Sequence, residues 1–140
     1  MDVKKLEYPA KVMLAWAEAI GGNKQITEWL IKNGYTELGI FVYALKLDND
    51  ARKWLMDNGY PHLMALICAV ERNKSAMEWL QRYNYSILEK MALAGDGDED
   101  AFQWLMDNNY RDFAYIAKKI QFVKDDIEDR NNDPHYISFD

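Results

Sequence analysis

The sequence predicts an all-α chain, an α-solenoid of short helix-turn-helix repeats with a period of 25 residues. Two observations predict it. The stretch Trp29-Leu30-Ile31-Lys32-Asn33-Gly34-Tyr35 returns around Trp54, Trp79 and Trp104, and its Trp, Leu and Tyr each recur at 25-residue steps (54−29, 79−54, 104−79). Self-similarity at a fixed period is the signature of a repeat architecture. Elsewhere the apolar residues fall at i, i+3, i+4 and i+7 and never settle into strict alternation, so helices are expected and no sheet.

Taken in order, residues 1 to about 10 carry no repeat signature, and Lys4 and Lys5 stand where Trp and Leu would be. Pro9 suits the first turn of a helix, where its missing N–H costs little. Met13, Trp16, Ala17 and Ile20 form the first helical stripe, and Gly21-Gly22-Asn23 stops it.

Each following unit holds two helices. The shorter carries Ile26, Trp29 and Leu30, then Ala51, Trp54 and Leu55, then Ala76, Trp79 and Leu80, then Ala101, Trp104 and Leu105. Its expected caps are Asn23, then Asn49 or Asp50, then Asn73 or Ser75, then Asp98 or Asp100, since such side chains accept from unpaired helix N–H groups. It stops at Asn-Gly in the first two copies and at Asn84 and Asn109 in the others, residues that tolerate the left-handed conformation. The longer helix carries Leu38, Phe41, Val42 and Leu45, then Leu63, Leu66, Ile67 and Val70. Leu88, Met91, Ala92 and Gly95 follow, then Phe113, Ile116, Ala117 and Ile120. A column of small residues, Ala19, Ala44, Ala69 and Ala94, lets neighbouring helices approach closely.

This divides a single domain, 1–140, into repeats of about 11–35, 36–60, 61–85, 86–110 and 111–130, the last a partial C-terminal cap, with a tail at 131–140. In that cap Lys124, Asp126 and Asp129 replace the apolar positions of a second helix, and Asp125 to Pro134 reads as a fraying end. A polar outer face on a terminal repeat prevents further stacking. Tyr136, Ile137 and Phe139 are apolar enough to fold back on the last repeat.

The totals narrow the classes. With 140 residues, 49% of them hydrophobic, the chain can bury a sizeable core. The 17 basic residues against 23 acidic ones give −6, with no Lys/Arg cluster of the kind that displaces nucleic-acid counterions. The acidity suits a basic partner. One cysteine, Cys68, allows no internal disulfide. No apolar run at the N-terminus matches a signal peptide, and no stretch approaches a membrane span, so a cytoplasmic protein is expected.

The run Ala44-x3-Asp48-Asn49-x-Ala51-x2-Trp54-Leu55-x2-Asn58-Gly59-Tyr60 resembles the second half of an ankyrin repeat, in a short 25-residue form lacking the β-hairpin. The resemblance spans residues of about 11 to 120. It implies a curved ankyrin-like superhelix of helical pairs that binds another protein.

With the stripes consumed by stacking, the Trp column is expected in the core. Function is expected where the units differ. Ile40, Tyr43, Met64, Leu93 and Tyr115 are larger apolar residues than a solvated helix face requires, and Met and aromatic residues favour protein interfaces. They are the candidate protein-binding residues, lining a recognition groove or completing packing between units. Two functions compete: an interaction module, of inhibitor or immunity type, docking on a basic protein, and a structural self-association protein without a separate ligand. A monomer or weak dimer is expected.

Chemistry is sparse. Asp96-Gly97-Asp98-Glu99-Asp100 alternates acids like the start of a calcium loop, but the positions requiring Gly and Glu hold Ala101 and Asp107. His62, His135 and Cys68 match no zinc-ligand spacing; a solvated His62 and a small apolar Cys68 are expected. The chain is accordingly expected to be no enzyme and to hold no metal or cofactor.

Overall fold

A computed structural model describes residues 6–132. Among them are nine helices and no strand: α1 (Ala10–Ile20), α2 (Lys24–Lys32), α3 (Thr36–Leu45), α4 (Asn49–Asp57), α5 (Pro61–Val70), α6 (Lys74–Arg82), α7 (Ser86–Gly95), α8 (Glu99–Asp107) and α9 (Arg111–Asn132). The helices after α1 begin at 24, 49, 74 and 99, and at 36, 61, 86 and 111.

The two turns of each unit explain that recurrence. At the first, the backbone turns left-handed at Gly22, Leu47, Arg72 and Gly97, with φ of 114°, 75°, 68° and 99°. The next residue, Asn23, Asp48, Asn73 or Asp98, does two jobs. Its N–H closes the preceding helix on the carbonyl of Glu18, Tyr43, Cys68 or Leu93. Its side chain opens the next helix by accepting from the N–H of Ile26, Ala51, Ala76 or Ala101 at 3.0–3.1 Å. The second cap is therefore Asp48, one residue before the expected Asn49 or Asp50, because only Asp48 keeps the 25-residue step to Asn23 and Asn73. At the second turn Gly34, Gly59, Asn84 and Asn109 take positive φ. The following Tyr35, Tyr60, Tyr85 and Tyr110 then donate their N–H to Leu30, Leu55, Leu80 and Leu105 at 2.8–2.9 Å.

The odd-numbered helices carry the core. Leu38, Phe41, Leu63, Leu66, Ile67, Met91, Ile116 and Ile120 are fully buried, as are Trp16 and Ile20 of α1. The Ala19, Ala44, Ala69 and Ala94 column is buried too. The even-numbered helices contribute Leu30, Leu55, Leu80 and Leu105, each fully buried and each stabilising by about 1.5–3 kcal/mol. The Trp column differs from expectation. Trp29 is 47% exposed and Trp54, Trp79 and Trp104 are half-buried. Each lies stacked on the Tyr six residues on, with interplanar angles of 6–20°. One residue before the core-facing Leu, the Trp is turned to the edge of the helix, where its ring covers the turn.

Each even-numbered helix packs against both of its odd-numbered neighbours, and α1 packs against α9. Tyr115 of α9 donates its hydroxyl to Glu18 of α1 at 2.9 Å across 97 positions of sequence. The row α1, α3, α5, α7, α9 thus meets its own beginning.

The last unit departs from the pattern. α9 runs 22 residues without a turn. Where the other units place a left-handed residue and a capping Asn or Asp, this one has Phe122 and Val123. Val123 has no side-chain acceptor to cap and restart a helix. The extension carries Val123 and Ile127 beneath the C-terminal ends of α1, α3 and α5, where they share clefts with Ile20, Leu45 and Val70. Lys124, one of the polar residues of the expected second helix, is instead largely buried and paired with Asp96. Residues 133–140, with Tyr136, Ile137 and Phe139, lie outside the described residues.

Candidate interaction surface

With the core stripe turned inward, residues four, five and eight of the odd-numbered helices lie on the side of the outer helices, where the small Gly39, Ala65 and Ala114 are buried and larger residues are partly exposed. Ile40 and Tyr115 hold the fifth position of α3 and α9, Tyr43 and Leu93 the eighth of α3 and α7, and Met64 the fourth of α5. None is fully buried. Tyr43 is 40% and Tyr115 41% exposed, and Ile40, Met64 and Leu93 are half-buried against the core. The five are spread over four helices. Met64 lines a shallow groove of about 290 Å³ with Met56, Cys68 and Trp79. Tyr115 sits at the α1–α9 contact, its ring 5.3 Å from the Lys119 ammonium.

At one end of the molecule, where α3, α5, α7 and α9 begin, lies an aromatic belt. The buried Glu37 carboxylate accepts from the hydroxyls of Tyr8 at 3.1 Å and Tyr60 at 3.0 Å. Burial, reinforced by Glu37, pushes the Tyr60 phenol up to about 12 and raises Tyr8 as well. His62 is buried rather than solvated, its ring stacked between Tyr60 and Tyr85 at centroid distances of 5.9 and 5.5 Å. Beside it a cavity of about 610 Å³ is lined by Leu6, His62, Tyr85, Trp104, Tyr110 and Phe113, among others. Glu37 and His62 were missed because they occupy one repeat position, 25 residues apart, where the next two copies hold Ile87 and Asp112. A position with no consistent residue type gives no periodic signal.

The opposite end is acidic and tied by ion pairs. Asp96 meets both Lys124 and Arg72. Burial opposes ionisation there, but the hydrogen bonds from Lys124 and Arg72 outweigh it and hold the carboxyl below its ordinary value. Arg52 reaches Glu71 and the Ala44 carbonyl. Asp98 is the cap of α8, which accounts for its place in the acidic run. Burial, with Glu71 nearby, pushes the half-buried Cys68 thiol up. Among the described residues no group of three His, Cys, Asp or Glu side chains is placed to hold a metal ion, and no helix is long and apolar enough to cross a membrane.

No protein-family model, curated protein or solved structure matches the chain.

Proposed function

We propose that the chain is a protein-interaction module built from short ankyrin-like helical pairs with a period of 25, and that its outward helix faces dock on a basic protein in the manner of an inhibitor or immunity-type protein. One observation carries the reading: Tyr43 and Tyr115 are exposed and Ile40, Met64 and Leu93 only half covered, on helices whose inner faces are fully packed. Large apolar and aromatic groups left at a surface are the groups an interface core uses. The net charge of −6 adds the choice of partner, since complementary fields speed encounter with a basic protein. The reading assigns no catalysis, cofactor or nucleic acid, and places the protein in the cytoplasm.

The test is affinity capture from host lysate at low and high salt, with the wild type and a Tyr43→Ala/Met64→Ala variant. Both substitutions remove exposed or half-exposed groups, so the fold survives. One basic protein retained by the wild type, and lost both at high salt and with the variant, is expected. Identical retention by wild type and variant overturns the assignment of this face.

A further inference from the structure

The internal repetition shows how each junction between neighbouring odd-numbered helices is filled, and leaves one junction without its filler. α2 spans α1 and α3, α4 spans α3 and α5, α6 spans α5 and α7, and α8 spans α7 and α9. The junction of α9 with α1 has no such helix among the described residues, because α9 runs straight through the position of the turn.

Equivalent positions show what faces that junction. The fourth-position residue of α3, Gly39, lies against Ile31 of α2, and that of α7, Glu89, accepts from Gln81 of α6. This position faces the preceding outer helix. Its equivalent in α1 is Leu14, 25 residues before Gly39, which has no preceding outer helix among the described residues and is 56% exposed. The fifth-position residue of α7, Lys90, lies with its ammonium 5.4 Å over the Trp104 ring of α8, so this position faces the following outer helix. Its equivalent in α9 is Tyr115, 41% exposed. Two turns further on the same face comes Phe122, 68% exposed, which shares a cleft with Ile20 and Gly21 of α1. The closure of the row joins Tyr115 to Glu18, one helical turn beyond Leu14, and Phe122 to the end of α1, so that among the described residues the face lacking its preceding outer helix meets the face lacking its following one.

We propose that this seam is a fifth outer-helix slot and that it receives an amphipathic α-helix of the protein partner, running antiparallel to α1 and α9. The proposal rests on the interaction-module reading and names the element of the partner that binds. The occupant's chemistry is that of the four resident helices: an Ala or Ile, a Trp and a Leu at i, i+3 and i+4, as in Ala51, Trp54 and Leu55. The resident helices are nine residues long, about 13 Å. The span from Tyr115 to Phe122 alone is about 10 Å. An apolar helix face laid in a groove between two helices is an established recognition mode. Lys119 and Glu18 supply polar edges.

The experiment uses the full-length chain and a fluorescent peptide of residues 48–60, blocked at both ends and held helical by a side-chain lactam on its polar face. Anisotropy titrations are run on the wild type, Leu14→Asp, Phe122→Asp and, as a control away from the slot, Tyr83→Asp at the exposed end of α6. Saturable binding is expected, weakened about tenfold or more by each slot variant and unchanged by Tyr83→Asp and by scrambling only the peptide's polar residues. No saturable binding, or binding indifferent to Leu14 and Phe122, overturns the proposal. Binding that appears only after removal of residues 133–140 assigns the slot to the chain's own C-terminus, and sedimentation showing a dimer that Leu14→Asp dissociates assigns it to a second copy; either overturns it. Peptide binding that persists while lysate capture fails would sink the basic-partner reading and leave the slot standing.

Discussion

Replacing Glu37 by Gln keeps the shape of the side chain and removes only its charge. The carboxylate is 7% exposed and accepts from Tyr8 at 3.1 Å and Tyr60 at 3.0 Å. A hydrogen bond to a charged group stabilises by about 1.5–3 kcal/mol and a neutral one by about 0.5–1.5. Two bonds weakened from the first range to the second give a loss of about 2 kcal/mol. Urea denaturation followed by circular dichroism measures it directly, with an unchanged slope reporting an unchanged unfolded state. A second readout isolates the cause. The folded-state phenol pKa of Tyr60, at about 12, lies above its unfolded value of 10.0, and that of Tyr8 is raised too. The Tyr60 contribution is complete below pH 10.0 and is lost as pH rises through 12. Glu37→Gln removes the carboxylate's part of that shift, so the decline in stability above pH 10 becomes shallower. A variant within 0.3 kcal/mol of wild type (about the error of additivity), with the same alkaline slope, would show that the tyrosines do not hold the carboxylate.

Other outcomes follow from the same geometry. Asp48→Ala costs about 1 kcal/mol and Asn49→Ala close to nothing, by urea denaturation, because only Asp48 accepts from the α4 amides. Leu55→Ala, in a fully buried position, costs about 2–5 kcal/mol, well above Trp29→Ala, whose ring is nearly half exposed. Asp96 has a folded pKa below its ordinary 3.8, so its contribution holds above that pH and fades as pH falls further; Asp96→Asn lowers stability at pH 7 and flattens the acid limb. A Phe122→Gly/Val123→Asp double variant supplies the missing turn and cap, and amide exchange then increases at residues 121–124 while α1 to α8 keep their protection.

The helices were legible because each unit repeats the same local signals: a capping Asn or Asp and a Gly or Asn stop on the even-numbered helix, and an apolar stripe on both. What was not legible comes from beyond a single unit. The Trp column sits in phase with Leu, but an angular step of one residue turns Trp29 to the surface and Leu30 to the core. That difference depends on where the neighbouring helix lies. The burial of His62 follows from Tyr60 and Tyr85, which come from two different turns. The contact of α1 with α9 is the sum of many small rotations between units, and no residue pair announces it. The straight run of α9, by contrast, was written in Val123, once it is aligned with the capping Asn23, Asp48, Asn73 and Asp98. Among the candidate residues, the sequence could rank size and variability along each helix. It could not show that Tyr115 lies beside Glu18 on a seam joining the two ends.

That seam carries Tyr115 of the interaction surface and the whole of the proposed slot, so the distance across it is the most direct test. Spin labels placed at positions 18 and 115, in a Cys68→Ser background, report it by electron double resonance on the full-length chain. The account predicts a single narrow distribution at the short limit of the method, since Glu18 and Tyr115 touch at 2.9 Å. A broad or long distribution, as an open superhelix gives, would contradict it.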